Sequence, residues 1–127
     1  MKKAYILFII SVLILSCGQK QQLQGAKIEF ENTEFNIGKI KQGETAECYF
    51  VAKNTGDNIL IFKQIIPNCD CASLTNNNAE IPVGKTDTLK FVLDTYDKAL
   101  GKFESDIIII TNTIPDFYRL KITAEIE

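Results

Sequence analysis

The feature that most limits the folds open to this chain is the form of its apolar runs. From Lys27 to Ile126 they are short, mostly alternating, and cut by Gly, Pro and Asn. Every second residue of a strand shares a face, whereas a helix needs a period of 3.6, and no stretch of the body keeps that longer period. Thr45 to Lys53 puts Ala46, Cys48, Phe50 and Ala52 on one face. Thr88 to Asp94 does the same with Leu89, Phe91 and Leu93, and Tyr118 to Ile126 with Leu120, Ile122, Ala124 and Ile126. Lys27 to Ile37 reads as one bent edge strand that Gly38 breaks. Ile59 to Ile66, ended by Pro67, is nearly continuous in apolar residues and fits a central strand. Ile107 to Ile110 would aggregate if exposed, so it is expected in the middle of a sheet and covered on both faces. Turn chemistry at Asn54-Thr55-Gly56-Asp57-Asn58, Asn76-Asn77-Asn78, Pro82 with Gly84, Gly101 and Thr111-Asn112 separates these runs. The expected fold is all-β, an antiparallel sandwich of about seven strands in two sheets.

A different pattern precedes the body. Lys2 and Lys3 are followed by an apolar segment from Ala4 to Leu15, broken by Ser11 and ending in Ile14-Leu15-Ser16-Cys17. The segment is too short to span a bilayer and reads as an export signal. Its end resembles a bacterial lipobox: a small residue lets a peptidase cut before Cys17, and only a thiol can take a thioether-linked diacylglycerol. The expected organisation is therefore a lipoprotein signal peptide over residues 1–16, a lipidated Cys17 with a Gln-rich flexible spacer over 17–26, and a β-sandwich over 27–127. No acidic run follows Cys17, and Gly18 stands where an Asp retention signal would, so the expected place is the outer membrane, facing the periplasm.

Composition removes several function classes. Without Lys2 and Lys3 the body keeps 12 cations against 16 acidic residues, a net charge of −4, so no basic surface for nucleic acid is expected. With no histidine in the chain, the usual general base and the commonest transition-metal ligand are both missing. Ser73, Ser105 and the threonines have no base partner, and no glycine loop suited to phosphate occurs. The chain is expected to be no enzyme, to have no catalytic residues, and to need no cofactor or metal.

Beyond Cys17 the cysteines are Cys48, Cys69 and Cys71. An exported chain lives where disulfides form, so one pair and one leftover thiol is the simplest assignment. Cys48 shares a face with Phe50 and reads as a small core residue. Three readings stand for Cys69-Asp70-Cys71: a loop clip, a redox pair, or two thiolates for Cu(I) or Zn(II). Closing a ring between residues two apart requires a turn. Asp70 opposes a low thiol pKa, and a metal would need Cys48 to complete its ligands.

Phe35, Gly38, Ile40 and Gly43, then Phe50 with Asn54-Thr55-Gly56, Leu60, Cys69, Cys71, Pro82, Gly84, Asp94, Gly101 and Thr111-Asn112 form an ordered set. It resembles the bacterial family called domain of unknown function 1573, related in architecture to the PapD-like and ASH sandwiches. The resemblance implies an immunoglobulin-like sandwich in a lipoprotein or secreted context and no established activity. The family usually has Cys-Gly-Cys followed by Thr, where this chain has Cys69-Asp70-Cys71-Ala72. The function expected is a non-catalytic binding or assembly module of the envelope, held to the lipid bilayer through acylated Cys17 and contacting an envelope protein. The alternative is thiol redox or copper handling by Cys69 and Cys71.

Overall fold

In the computed structural model, which describes residues 25–76 and 78–127, nine strands form two sheets. In chain order they are β1 (Ile28–Phe30), β2 (Glu34–Ile40), β3 (Thr45–Asn54), β4 (Leu60–Pro67), β5 (Ala72–Leu74), β6 (Glu80–Ile81), β7 (Thr86–Asp94), β8 (Gly101–Thr111) and β9 (Phe117–Ile126). One sheet has the order β1-β3-β7-β5 and the other β2-β9-β8-β4-β6. The long strands fall where alternation places them. The two strands beyond the expected seven arise among β1, β5 and β6, which are only 3, 3 and 2 residues long. Segments that short carry no readable period.

Three expectations need correction. The bent first strand is two strands in different sheets: β1 pairs with β3, while β2 crosses over and runs parallel to β9, so the sandwich is not purely antiparallel. Gly38 does not end β2. It takes a φ of +83° where the register shifts between Asn36 and Lys39, and the Asn36 side chain accepts from its N–H at 2.9 Å, so the strand bulges and continues to Ile40. The isoleucine run does lie mid-sheet, in β8 between β9 and β4, but only Ile107 and Ile109 are buried. Ile108 and Ile110 point outward and are half-buried, because among the described residues no layer covers that face.

The inner faces supply the core. From the first sheet come Cys48, Phe50, Ala52, Leu89, Phe91 and Leu93, and from the second Leu60, Ile107, Ile109, Leu120, Ile122 and Ile126. Each fully buried Leu, Ile or Phe contributes about 1.5–3 kcal/mol relative to an exposed one. The chain enters this core at Ala26, which is buried, and Gly25 accepts a hydrogen bond from the Asp57 N–H at 3.1 Å. The last two residues of the expected spacer therefore pack on the domain. Gly56 sits against them so closely that a Cβ there would strike the Gly25 carbonyl and the Lys27 amide. Gly56→Ala is expected to cost about 1–3 kcal/mol, read as a lower urea midpoint, because the obstacle is backbone and cannot swing away.

Burial also sets the chemistry of Cys48, a free thiol with 0% exposure whose pKa is pushed up to about 11 by desolvation. With the folded pKa raised, the protonated thiol favours the folded state fully below the ordinary thiol range of about 8.5, and the advantage is lost as pH rises through the folded pKa. Urea midpoints are expected to fall between about pH 9 and pH 11, by up to about 1.4 kcal/mol per pH unit. In Cys48→Ala that slope should disappear; an unchanged slope would assign it to other groups.

Candidate functional site

The disulfide lies at one end of the sandwich. Asn68 follows β4, and its backbone and side chain both bind β8: its N–H donates to the Asp106 carbonyl at 2.9 Å, and its Oδ1 accepts from Asp106 N–H at 3.2 Å and from Ser105 Oγ at 2.7 Å. Cys69 and Cys71 are bonded to each other with Cα atoms 5.2 Å apart. The turn needed to close so small a ring places Ala72 N–H on the Cys69 carbonyl at 3.4 Å, and Asp94 N–H donates to the Cys71 carbonyl at 2.8 Å. Cys69 Sγ stands 3.5 Å from Ser105 Oγ. Cys71 is buried and Asp70 exposed, so the bridge clips the β4–β5 connection with its charge turned to solvent.

Beside it is a shallow pocket lined by Asp70, Cys71, Asp94, Tyr96, Asp97 and Lys98. Lys98 Nζ lies 3.0 Å from Asp97 and, by hydrogen bond and charge, holds that carboxyl below its ordinary range. The pocket offers carboxylates, one ammonium and an exposed phenol ring. It offers no nucleophile paired with a base.

Among the described residues no group of three or more His, Cys, Asp or Glu could hold a metal. Cys48, which a thiolate site would have needed, faces the interior, and its Sγ lies 3.7 Å from the Phe91 carbonyl. The sulfurs of Cys69 and Cys71 are tied up in their own bond. A ring of three residues restricts the unfolded chain little: the loop-entropy relation gives about 1.6 kcal/mol at 25 °C. Cys69→Ser with Cys71→Ser is therefore expected to leave a folded domain whose thermal midpoint falls by several degrees.

The second feature is an open sheet edge. β6 pairs only with Leu60 and Ile61 of β4, and Phe62 N–H then donates to the Ala79 carbonyl at 2.9 Å. Among the described residues no strand lies beside the outer side of β4 from Lys63 to Pro67, so the expected central strand is an edge there over half its length. On the solvent face next to it, Ile66 pairs with Ile108 and Gln64 with Ile110, which pairs in turn with Phe117. Ile66 and Phe117 are 46% and 49% exposed, an apolar corner on a face that elsewhere carries Lys102, Glu104, Asp106, Arg119 and Lys121.

The third feature is the far end, where two asparagines fasten three turns together. Asn54 Nδ2 donates to the Asn58 and Ile81 carbonyls at 2.8 and 2.9 Å, and its Oδ1 accepts from Gly56 N–H at 3.0 Å. Asn112 Oδ1 accepts from Ile61 N–H at 2.8 Å, and its Nδ2 donates to the Ile59 carbonyl at 2.9 Å. In the sequence both asparagines read only as turn formers. Cys17, the expected lipidation site, lies outside the described residues.

A family profile described as "Protein of unknown function (DUF1573)" matches residues 28–126. No curated protein sequence matches the chain. Among solved structures, a protein of unknown function from Porphyromonas gingivalis W83 is similar over 80% of this chain and 47% of its own, with 22% identity and a TM-score of 0.69. The ASH / PapD-like domain 7 of human CEP192 is similar over 80% of this chain and 85% of its own, with 10% identity and a TM-score of 0.65. The VesB protease of Vibrio cholerae matches 79% of this chain but 31% of its own, with 12% identity and a TM-score of 0.60. At these identities the likeness is one of fold, and the chain spans about half of the first of these proteins and a third of the last.

Proposed function

The chain belongs to the DUF1573 family, and from that premise we propose that it is a non-catalytic binding or assembly module of the cell envelope, anchored through acylated Cys17. The observation that carries the reading is the outer edge of β4 from Lys63 to Pro67, beside which no strand pairs among the described residues, next to an apolar corner. An extended segment of another envelope protein can add there as a further strand, taking affinity from main-chain hydrogen bonds and specificity from side chains that meet Ile66. The short β6 fits this use, since it shields the start of β4 and leaves the rest open.

The anchor rests on the lipobox of Leu15-Ser16-Cys17 and the basic, apolar segment before it. Diacylation with a further acyl chain holds a protein stably, where a single chain is marginal. The reading places the tether in the outer membrane, facing the periplasm. Feeding cells a clickable fatty acid is expected to label the full chain but not Cys17→Ala.

The binding role is tested by a photo-crosslinking residue at Gln64 on the open edge, with Lys90 on the opposite sheet as control. A defined partner crosslinked from Gln64 and not from Lys90 is expected. Equal capture from both positions, or from neither over repeated trials, would remove the strand-addition reading.

A further inference from the structure

The end of the sandwich fastened by Asn54 and Asn112 presents apolar residues where turns ordinarily present polar ones. Ile114, in the β8–β9 turn, is 90% exposed; Ile59, before β4, is 49% exposed; and Val83, between Pro82 and Gly84, is 48% exposed. These three tips lie side by side because their turns share hydrogen bonds. Asn54 N–H donates to the Lys85 carbonyl at 3.0 Å, and the Asn54 side chain reaches Asn58, tying the Val83 turn to the Ile59 turn. Asn112 then ties the Ile59 turn to the Ile114 turn. Exposed apolar residues gathered in one place mark a contact surface.

What covers this surface follows from where the chain enters. Gly25 accepts from Asp57 N–H within the same cluster of turns, so the polypeptide leading back to Cys17 leaves the domain at this end. Seven residues lie between Cys17 and Gly25, eight steps of the chain with a reach of at most about 28 Å. The disulfide, beside Ser105 in β8, lies about 20 Å along that strand from Thr111, toward the end that carries Tyr96.

We infer that the tips bearing Ile59, Val83 and Ile114 dock on the lipid bilayer beside the acyl anchor, seating the domain upright with the Cys69–Cys71 end outermost. The inference rests on the lipid-anchor reading. Asp57 and Asp116 sit in the same turns, so contact is confined to the headgroup boundary, with the apolar tips entering and the carboxylates staying wet. The body is acidic overall, so the contact is apolar and needs no anionic lipid.

The chain has no tryptophan, so a single introduced one reports its own surroundings. The lipidated full chain, purified from cells, is reconstituted into phosphatidylcholine vesicles with and without a doxyl-labelled lipid, as Ile114→Trp and, for the opposite end, as Tyr96→Trp. Ile114→Trp is expected to lose about half its emission to the doxyl lipid while Tyr96→Trp is unchanged, since only the former enters the boundary layer. Vesicles that float with the protein but quench both positions alike, or neither, overturn the docking and leave the anchor standing. Protein that carries no acyl label and does not float overturns both. A blue shift of Ile114→Trp that grows with protein concentration and ignores the doxyl lipid assigns the tips to a second copy instead, and also overturns the docking.

Discussion

Phe50→Ala is expected to destabilise the domain by about 4 kcal/mol, against a total of about 5–15 kcal/mol for a domain of this size. Phe50 has 0% exposure in the middle of β3, facing the second sheet. Its ring packs edge-on against Phe91 at 6.2 Å and against Phe35 at 6.3 Å, so it joins its own sheet to the strand that has crossed to the other. Truncation removes its own transfer free energy, leaves a cavity between sheets whose backbones are held by ladders, and breaks both aromatic pairs. Phe50→Leu keeps most of the volume and is expected to cost about 1.5 kcal/mol. Urea unfolding of the purified domain measures both. A midpoint for Phe50→Ala close to that of the parent would mean that this ring is not where the two sheets meet.

Asn54 is expected to be nearly as costly to replace, though it buries no apolar area. Its side chain has 0% exposure and meets three backbone groups, of Gly56, Asn58 and Ile81, which have few other ways to be satisfied. Asn54→Ala is expected to cost about 3 kcal/mol, the sum of three modest hydrogen bonds and the desolvation of the groups left behind. Asn54→Asp should be worse than Asn54→Ala. It keeps the Gly56 bond but points a buried carboxylate at two carbonyl oxygens, and protonation would relieve that, so its deficit should shrink toward acid pH. The order of the two variants distinguishes hydrogen bonding from packing: a pure packing role would favour Asp, which nearly matches Asn in volume. Because Asn54 also fastens the turns of Ile59 and Val83, Asn54→Ala should speed amide exchange in residues 55–59 and 82–85 before the core strands respond.

The long strands were legible because their alternation is a direct image of a pleat with one dry face, as Cys48, Phe50 and Ala52 of β3 show, all three buried. The disulfide partners were legible only as candidates. Pairing required Cys69 and Cys71 to turn toward each other, and that turn is held by Asn68 and Asp94, one reaching across to β8 and the other extending from the end of β7. The open edge of β4 was hidden for a related reason. Edge and centre differ by whether a neighbour arrives, and Ile61 through Ile66 read alike in either place. The outward isoleucines misled in the same way: Ile108 and Ile110 suggested a covered second face, and among the described residues no layer lies over the outer face of β8.

Residue order alone therefore determined that the body is all-β, which face of each long strand is dry and where most of its turns fall. Those are properties of near neighbours, written in periods of two and in local turn chemistry. Tertiary structure decided that the first segment divides between two sheets with a parallel pair, that β4 ends as an edge, and that Asn54 and Asn112 gather three apolar turn tips at the end where the chain enters. Each depends on contacts between residues far apart in sequence, whose geometry no local pattern encodes.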